Sequence, residues 1–214
     1  MSIFEDITSL GTFRDCEDKP IPRKLMGMIL EAGSNAPSPG NVDALEFIVV
    51  EDDEKREALA RITGDDRIES APDSVIIIED YERMARRVEE DKCRDFCSAE
   101  AAVAAQNMRL VAKENGLASC WVGGFPEQAV QDEFGIPDGK IPMGVVILGY
   151  SDDSVPEEEK FKLNNICYYD FYDNQVTSMF DQVEWKGIRE EKRIYGKKSS
   201  GLVSRFRRKL REIL

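Results

Sequence analysis

The stretch from Ser98 to Phe125, SAEAAVAAQNMRLVAKENGLASCWVGGF, constrains this chain more than any other, because it joins a nearly apolar helix to a strand that ends in two glycines. From Ala99 to Ala112 the only polar side chains are Glu100, Gln106, Asn107 and Arg109, so little of this helix can face water. It must be a central helix, buried against the body of the protein or against a second subunit. Asn115-Gly116 supplies a left-handed C-terminal stop, and Leu117 to Val122 then reads as a short strand running into Gly123-Gly124. Two glycines after a strand let the backbone approach a neighbour closely, although a tight turn has the same sequence.

Around this unit, helices and strands alternate. Ser2 to Leu10 predicts a first helix, with Ser2 as a possible cap and Ile3, Phe4, Ile7 and Leu10 on one face. Leu25, Met26, Ile29 and Leu30 mark a second, stopped by Gly33, and a Pro- and Gly-bearing loop follows from Ser34 to Asn41. Phe47 to Val50 is a strand and Asp53 to Arg61 a charged helix. Ser74 to Ile78 is a continuous β-branched run of the kind found in a sheet covered on both faces. The densely charged segment Tyr81 to Phe96 predicts a solvated lid rather than core. Pro126 opens a helix that ends at Gly135, and Gly144 to Gly149 is the last strong strand. The order α, α, β, α, β, α, β, α, β predicts a three-layer α+β or α/β domain on a sheet of four or five strands. Neither a Gly-x-Gly-x-x-Gly loop nor a Walker sequence is present.

Composition narrows the chemistry. The chain has no histidine, which removes Ser-His and Cys-His nucleophilic catalysis and leaves carboxylates, Lys, Arg, Tyr, Cys or a cofactor to act. Its five cysteines are scattered and odd in number, as expected of reduced thiols, and Cys93 and Cys97 have no further cysteine nearby to complete a metal site. The N-terminus lacks the pattern of a signal peptide and no apolar run reaches the ~18 residues of a membrane span, so a cytoplasmic protein is expected. The net charge of -13 divides unevenly: residues 186 to 214 hold eleven Lys/Arg against three Asp/Glu, and the rest of the chain is strongly acidic. An acidic body argues against nucleic acid as a partner.

Three stretches speak together: Arg14 ahead of Lys19-Pro20-Ile21-Pro22, then Ala36-Pro37-Ser38-Pro39-Gly40-Asn41, then Gly116 to Phe125 with its Trp-Val-Gly-Gly-Phe. At these residues, from about Phe13 to about Tyr172, the chain resembles the nitroreductase family of flavin-dependent oxidoreductases. The resemblance implies a nitroreductase-like mixed sheet of four to five strands flanked by helices. It also implies a homodimer with FMN at the subunit interface, and the helix Ala99 to Ala112 in the dimer core. It implies that NADH or NADPH delivers hydride to flavin N5 and departs, after which an electron-poor acceptor such as a nitroaromatic or quinone takes the electrons; the flavin carries the chemistry and no catalytic side chain is required. By position, Arg14 matches the basic residue at the flavin N1–O2 edge, with Thr12 in the place of a phosphate-side Ser. Pro37, Ser38 and Asn41 match the loop that hydrogen-bonds flavin and ribityl chain. Val122, Gly123 and Gly124 match the backbone against the ring. Lys160 and Lys162 fall where phosphate-binding bases are usual, and they also read as solvated lysines after an acidic run.

The chain departs from the pattern at Leu10 and Gly11, where Arg is common, and at Leu45, where Trp is usual. Asp43 replaces the usual Gln and suits the flavin only if it accepts from the ring N3–H. The boundaries expected are a flavin-binding domain over 1–175 and a basic C-terminal extension over 176–214. In that extension Leu202, Phe206, Leu210 and Ile213 recur at helical spacing among basic residues. Such a helix packs on the acidic body or the partner subunit, or touches an anionic membrane surface. Alternatives within the same fold are a related flavin chemistry such as reductive dehalogenation, or a flavin-free regulatory dimer.

Overall fold

The computed structural model describes residues 3–153 and 165–174, which fall in two compact units divided after Pro156. Lys160, Lys162 and the basic extension lie outside the described residues. In the second unit, residues 165–174 form a short turn in which the Asn174 carbonyl accepts from the Tyr169 N–H at 2.8 Å.

The first unit runs α1 (Ile3–Ser9), α2 (Arg23–Ser34), β1 (Leu45–Val50), α3 (Asp53–Thr63), α4 (Arg67–Ser70), β2 (Asp73–Asp80), α5 (Tyr81–Ala85), α6 (Glu90–Glu114), β3 (Ala118–Val122), α7 (Glu127–Phe134) and β4 (Lys140–Gly149). This is the alternation the sequence predicts, and the architecture is α+β. The four strands lie in the order β1-β2-β4-β3, and every pairing is antiparallel among the described residues, where a mixed sheet is expected from the resemblance.

Each sheet face carries its own apolar cluster, which makes three layers. Ile76 and Ile78 of β2 point with Val145 and Ile147 of β4 toward Leu59 of α3 and Val130 of α7. The alternate residues Val75, Ile77, Val146 and Leu148 pack with Met26 and Ile29 of α2 and the alanines of α6. Both faces of β2 are therefore buried, as its β-branched run requires. Local signals close the helices: the Asp52 carboxylate accepts from the Lys55 N–H at 3.1 Å to start α3, and Gly64 and Gly135 end α3 and α7 in left-handed conformation.

The central helix is longer than its apolar core. α6 has 25 residues, about 37 Å, and starts inside the segment expected to be a lid. Met84, Cys93 and Cys97 of that segment are fully buried and form a third cluster with Ala44, while Arg86, Arg87, Asp91, Lys92 and Asp95 face water. Charge density there hides an inward face spaced at helical intervals. Gly33 corrects a second expectation: it lies inside α2, which ends a residue later at Ser34 with Asn35 as cap. A Cβ on Gly33 would stand 2.9 Å from Met108 Cε, so the glycine sets the close approach of α2 to α6.

Along its outer side α6 exposes Phe96, Ala99, Ala102 and Val103, and α1 exposes Ile3, Phe4 and Ile7. No helix among the described residues is long and apolar enough to cross a membrane.

Candidate functional site

The segment bearing Thr12 and Arg14 is fixed by its neighbours on both sides. Phe13 is buried in the cluster under β4, which turns Thr12 and Arg14 outward. The Arg14 and Asp15 N–H groups donate to Asp153 Oδ2 at 2.7 and 3.1 Å, and Ser151 Oγ donates to the Asp15 carbonyl at 2.7 Å. Those N–H groups hold the Asp153 carboxyl below the usual carboxylate range. Arg109 of α6 reaches back to donate to the Gly11 carbonyl at 3.2 Å and to Ser119 Oγ at 3.4 Å. Backbone is thus committed inward, and the Arg14 side chain is left to solvent.

In the loop before β1, Ser38 is the organiser. Its hydroxyl oxygen accepts from the Val42 N–H at 2.6 Å and the Asp43 N–H at 2.8 Å, and its carbonyl accepts from the Asn41 N–H at 3.0 Å. Gly40, Asn41 and Asp43 all take left-handed backbone, at φ 64, 56 and 52°, which Gly, Asn and Asp tolerate best. Arg83 Nη1 braces the loop from α5 by donating to the Asp43 carbonyl at 2.8 Å. A hydroxyl has two acceptor pairs and one donor hydrogen. With both pairs occupied, Ser38 has a hydrogen left to give, while Pro37, Asn41 and Asp43 stand exposed around it.

Ser38→Ala removes the acceptor for two N–H groups. The loop loses order worth about 1–3 kcal/mol, which hydrogen exchange of the Val42 and Asp43 amides reads as roughly five- to 150-fold faster exchange.

At the end of β3, Val122 is buried and Gly123 and Gly124 are exposed, with Gly124 at φ 78°. Nothing lies within 4 Å of the position of a Gly124 Cβ, so backbone is open to a flat neighbour there. Trp121 and Phe125 are half-buried against opposite clusters and serve the core. Cys120 is buried, and burial raises its thiol pKa in spite of the nearby Arg67 and Arg109 guanidiniums.

One protomer does not bring these segments together. The Ser38 loop leads into β1 and the Gly-Gly pair leaves β3, and these are the two opposite edge strands of the sheet. Three strand spacings separate them, about 14 Å. Asp43 acts electrostatically on Glu100 of α6, whereas Gly11 is held by Arg109 of the same helix. The two stations are nine residues apart, about 13 Å along the axis.

Two acids in the layer between β2 and α6 complete the region, and neither belongs to the motifs read from the sequence. Glu79 of β2 is fully buried, and among the described residues neither of its carboxylate oxygens has a hydrogen-bond partner; Glu100 is 2% exposed and its Oε2 has none there either. Burial, then the Glu100 carboxyl, then Asp80 push the Glu79 pKa up to about 9. Burial, then Asp43, push that of Glu100 up to about 7. A signal for both exists in the sequence: Glu79 has the parity of Val75 and Ile77, and Glu100 follows Cys93 and Cys97 at i+7 and i+3 on one helix face.

The model of the nitroreductase family matches residues 12–73 and 63–150. The chain belongs to the nitroreductase family. It is 26% identical over 171 residues to a putative NADH dehydrogenase/NAD(P)H nitroreductase of Methanothermobacter thermautotrophicus, covering 78% of this chain and 86% of that protein. It is 29% identical over 159 residues to the NADPH-flavin oxidoreductase of Vibrio harveyi, covering 70% of this chain and 66% of that one. The fold superposes with a TM-score of 0.69 on a putative NADH oxidase of Clostridium acetobutylicum, at 24% identity over 78% of this chain and 99% of that one.

Proposed function

We propose that this chain is an FMN-dependent oxidoreductase of the nitroreductase family that passes electrons from NADH or NADPH to an electron-poor small molecule such as a nitroaromatic or quinone. The reading rests on the match over residues 12–73 and 63–150, on relatives described as NAD(P)H nitroreductase and NADPH-flavin oxidoreductase, and on the motif residues themselves. The observation that carries it is the Ser38 loop. A hydroxyl with both acceptor pairs filled, set in an exposed, left-handed loop, keeps its one hydrogen to donate to an acceptor-rich ligand.

When bound, FMN supplies the centre that accepts hydride from the nicotinamide and gives it to the acceptor. The residues present fit that group. Ser38 and Asn41 donate to the flavin edge and ribityl chain, and Pro37 shapes the loop. Val122, Gly123 and Gly124 offer a side-chain-free surface to the ring. Arg14 would place positive charge where reduced flavin becomes anionic, and Thr12 would serve the phosphate. Asp43 accepts from a ring N–H.

The separation of these segments within one protomer favours a homodimer. A second copy packed on the exposed Phe96–Val103 side of α6 brings the Ser38 loop of one chain toward the Arg14 segment of the other. Such packing also covers the apolar surface that the protomer leaves open. The whole acts in the cytoplasm without nucleic acid.

The test is the absorbance spectrum of the purified chain together with its elution volume. A dimer carrying close to one FMN per subunit, bleached by NADH or NADPH and re-coloured by a quinone, is the expected result. A colourless protein that takes up no added FMN overturns the reading.

A further inference from the structure

Helix α1 and the carboxyl-terminal ends of α2 and α6 line an open cleft of about 430 Å³, within the range of about 300–1,000 Å³ usual for small-ligand sites. None of the residues assigned to flavin lines it. Asp6 of α1 does, and that side chain is short of a partner. The residue is 9% exposed, and its Oδ1 is sealed from water with no hydrogen-bond partner among the described residues. Asn35 and Asn107 stand beside it with amide nitrogens committed to α2: Asn35 Nδ2 donates to the Glu31 carbonyl at 2.8 Å, and Asn107 Nδ2 to the Ala32 carbonyl at 3.2 Å. Each amide oxygen remains as an acceptor.

The cleft has one electrostatic sign. Two helices end at it, and α2 has no basic residue in its last turn to offset the negative end of the helix dipole. Lys113, in the last turn of α6, is not a lining residue, whereas Glu114 is. Among the described residues no Lys or Arg lines the cleft, and Asp6 enters no ion pair. An ionised carboxyl held that far out of water calls for a cation. The remaining wall is apolar, with Ile3, Leu110 and Val111 lining the same space.

We propose that this cleft binds a small organic cation, a primary ammonium carried on an apolar body. An ammonium has three N–H donors and no acceptor, which matches a carboxylate flanked by two amide oxygens. Its body lies along Leu110 and Val111. A bare metal ion suits the place poorly, because the described residues hold no group of three metal-ligating side chains and the apolar wall offers an ion nothing. The proposal stands apart from the flavin reading, since the two sites share no residue.

The full chain tests this by calorimetric titration and amide NMR, with phenethylammonium chloride as probe and phenethyl alcohol as its uncharged analogue. Expected is saturable binding of the ammonium, with the side-chain amide signals of Asn35 and Asn107 shifting as it binds. Its affinity should exceed that of the alcohol by about tenfold or more, the step expected of a hydrogen bond to a charged group. Asp6→Asn keeps the shape of the side chain and should erase that preference. Glu114→Gln, at an exposed position, should leave most of it. The parent titration decides even if Asp6→Asn fails to fold: equal affinity for ammonium and alcohol, or Asn35 and Asn107 signals that stay in place, overturns the proposal. So does an ammonium preference that survives Asp6→Asn. A parent that binds no ammonium and loses self-association in Asp6→Asn also overturns it, since a second copy of the chain would then supply the cation.

Discussion

Replacing Gly144 with alanine lowers the unfolding temperature by roughly 10 °C, the shift expected of a chain this size for about 3 kcal/mol lost to overpacking. Gly144 lies on β4, one of the two inner strands, and the Trp121 indole of the neighbouring strand β3 lies across it. A Cβ there would stand 2.0 Å from Trp121 Cη2, 2.3 Å from Cζ2 and 2.5 Å from Cζ3. No rotation of a methyl group relieves three such contacts, so the indole must leave its seat or the two strands must part. The indole directly precedes the Val122-Gly123-Gly124 segment, so displacement also disturbs the backbone proposed to face the flavin ring. Thermal unfolding followed by tryptophan fluorescence reads both effects, with a changed emission maximum in the folded state. Trp121→Leu in the same chain should restore most of the lost stability, because the two substitutions act on one contact. An unchanged unfolding temperature in Gly144→Ala alone would show that the indole does not depend on this glycine.

Gly144 also shows where the sequence is legible and where it is not. The apolar run GVVILG announces its own strand, yet β4 begins four residues earlier at Lys140. Pro142 argues against an inner strand, and it is accommodated because the register shifts between Ile77 and Ile78 of β2, with Gly144 facing Ile77 and Pro142 facing Ile78. That shift depends on a partner strand remote in sequence. The same limit explains Tyr81 to Phe96. Its charges are plain, but the burial of Met84, Cys93 and Cys97 requires Ala44 and its neighbours to arrive from elsewhere in the chain. Signals carried by one segment alone were reliable: the glycine that ends α7, the two-faced burial of β2, and the inward alanines of α6. For the candidate site, the motifs named the residues of each segment but not their distribution over opposite sheet edges. That distribution is a property of strand order, and no local spacing encodes it.

The buried acids set the largest pH effect expected of this fold. For Glu79 the folded state binds a proton up to about 9 and for Glu100 up to about 7, while the ordinary value is 4.5 for each. Between the unfolded and folded values the native state holds more protons than the unfolded state, so stability falls as pH rises. Each group contributes a loss of at most about 1.4 kcal/mol per pH unit within its own window. The loss from Glu100 is complete near pH 7, and that from Glu79 continues to about 9. At the acid end the sign reverses. Asp65, lowered chiefly by its hydrogen bond from Arg67, stabilises the fold above its unfolded value and loses that contribution as pH falls through its folded one. Stability therefore peaks in mildly acidic solution and declines through the neutral and alkaline range. Glu79→Gln keeps the shape of the side chain and removes the titration, so the alkaline decline should flatten and the variant should exceed the parent by a few kcal/mol at high pH. In mildly acidic solution, where Glu79 is already neutral, the two should nearly coincide. Urea unfolding of both proteins over a pH series measures the difference; parallel curves would mean that Glu79 is ionised in the native state and has a counter-charge supplied from outside this layer.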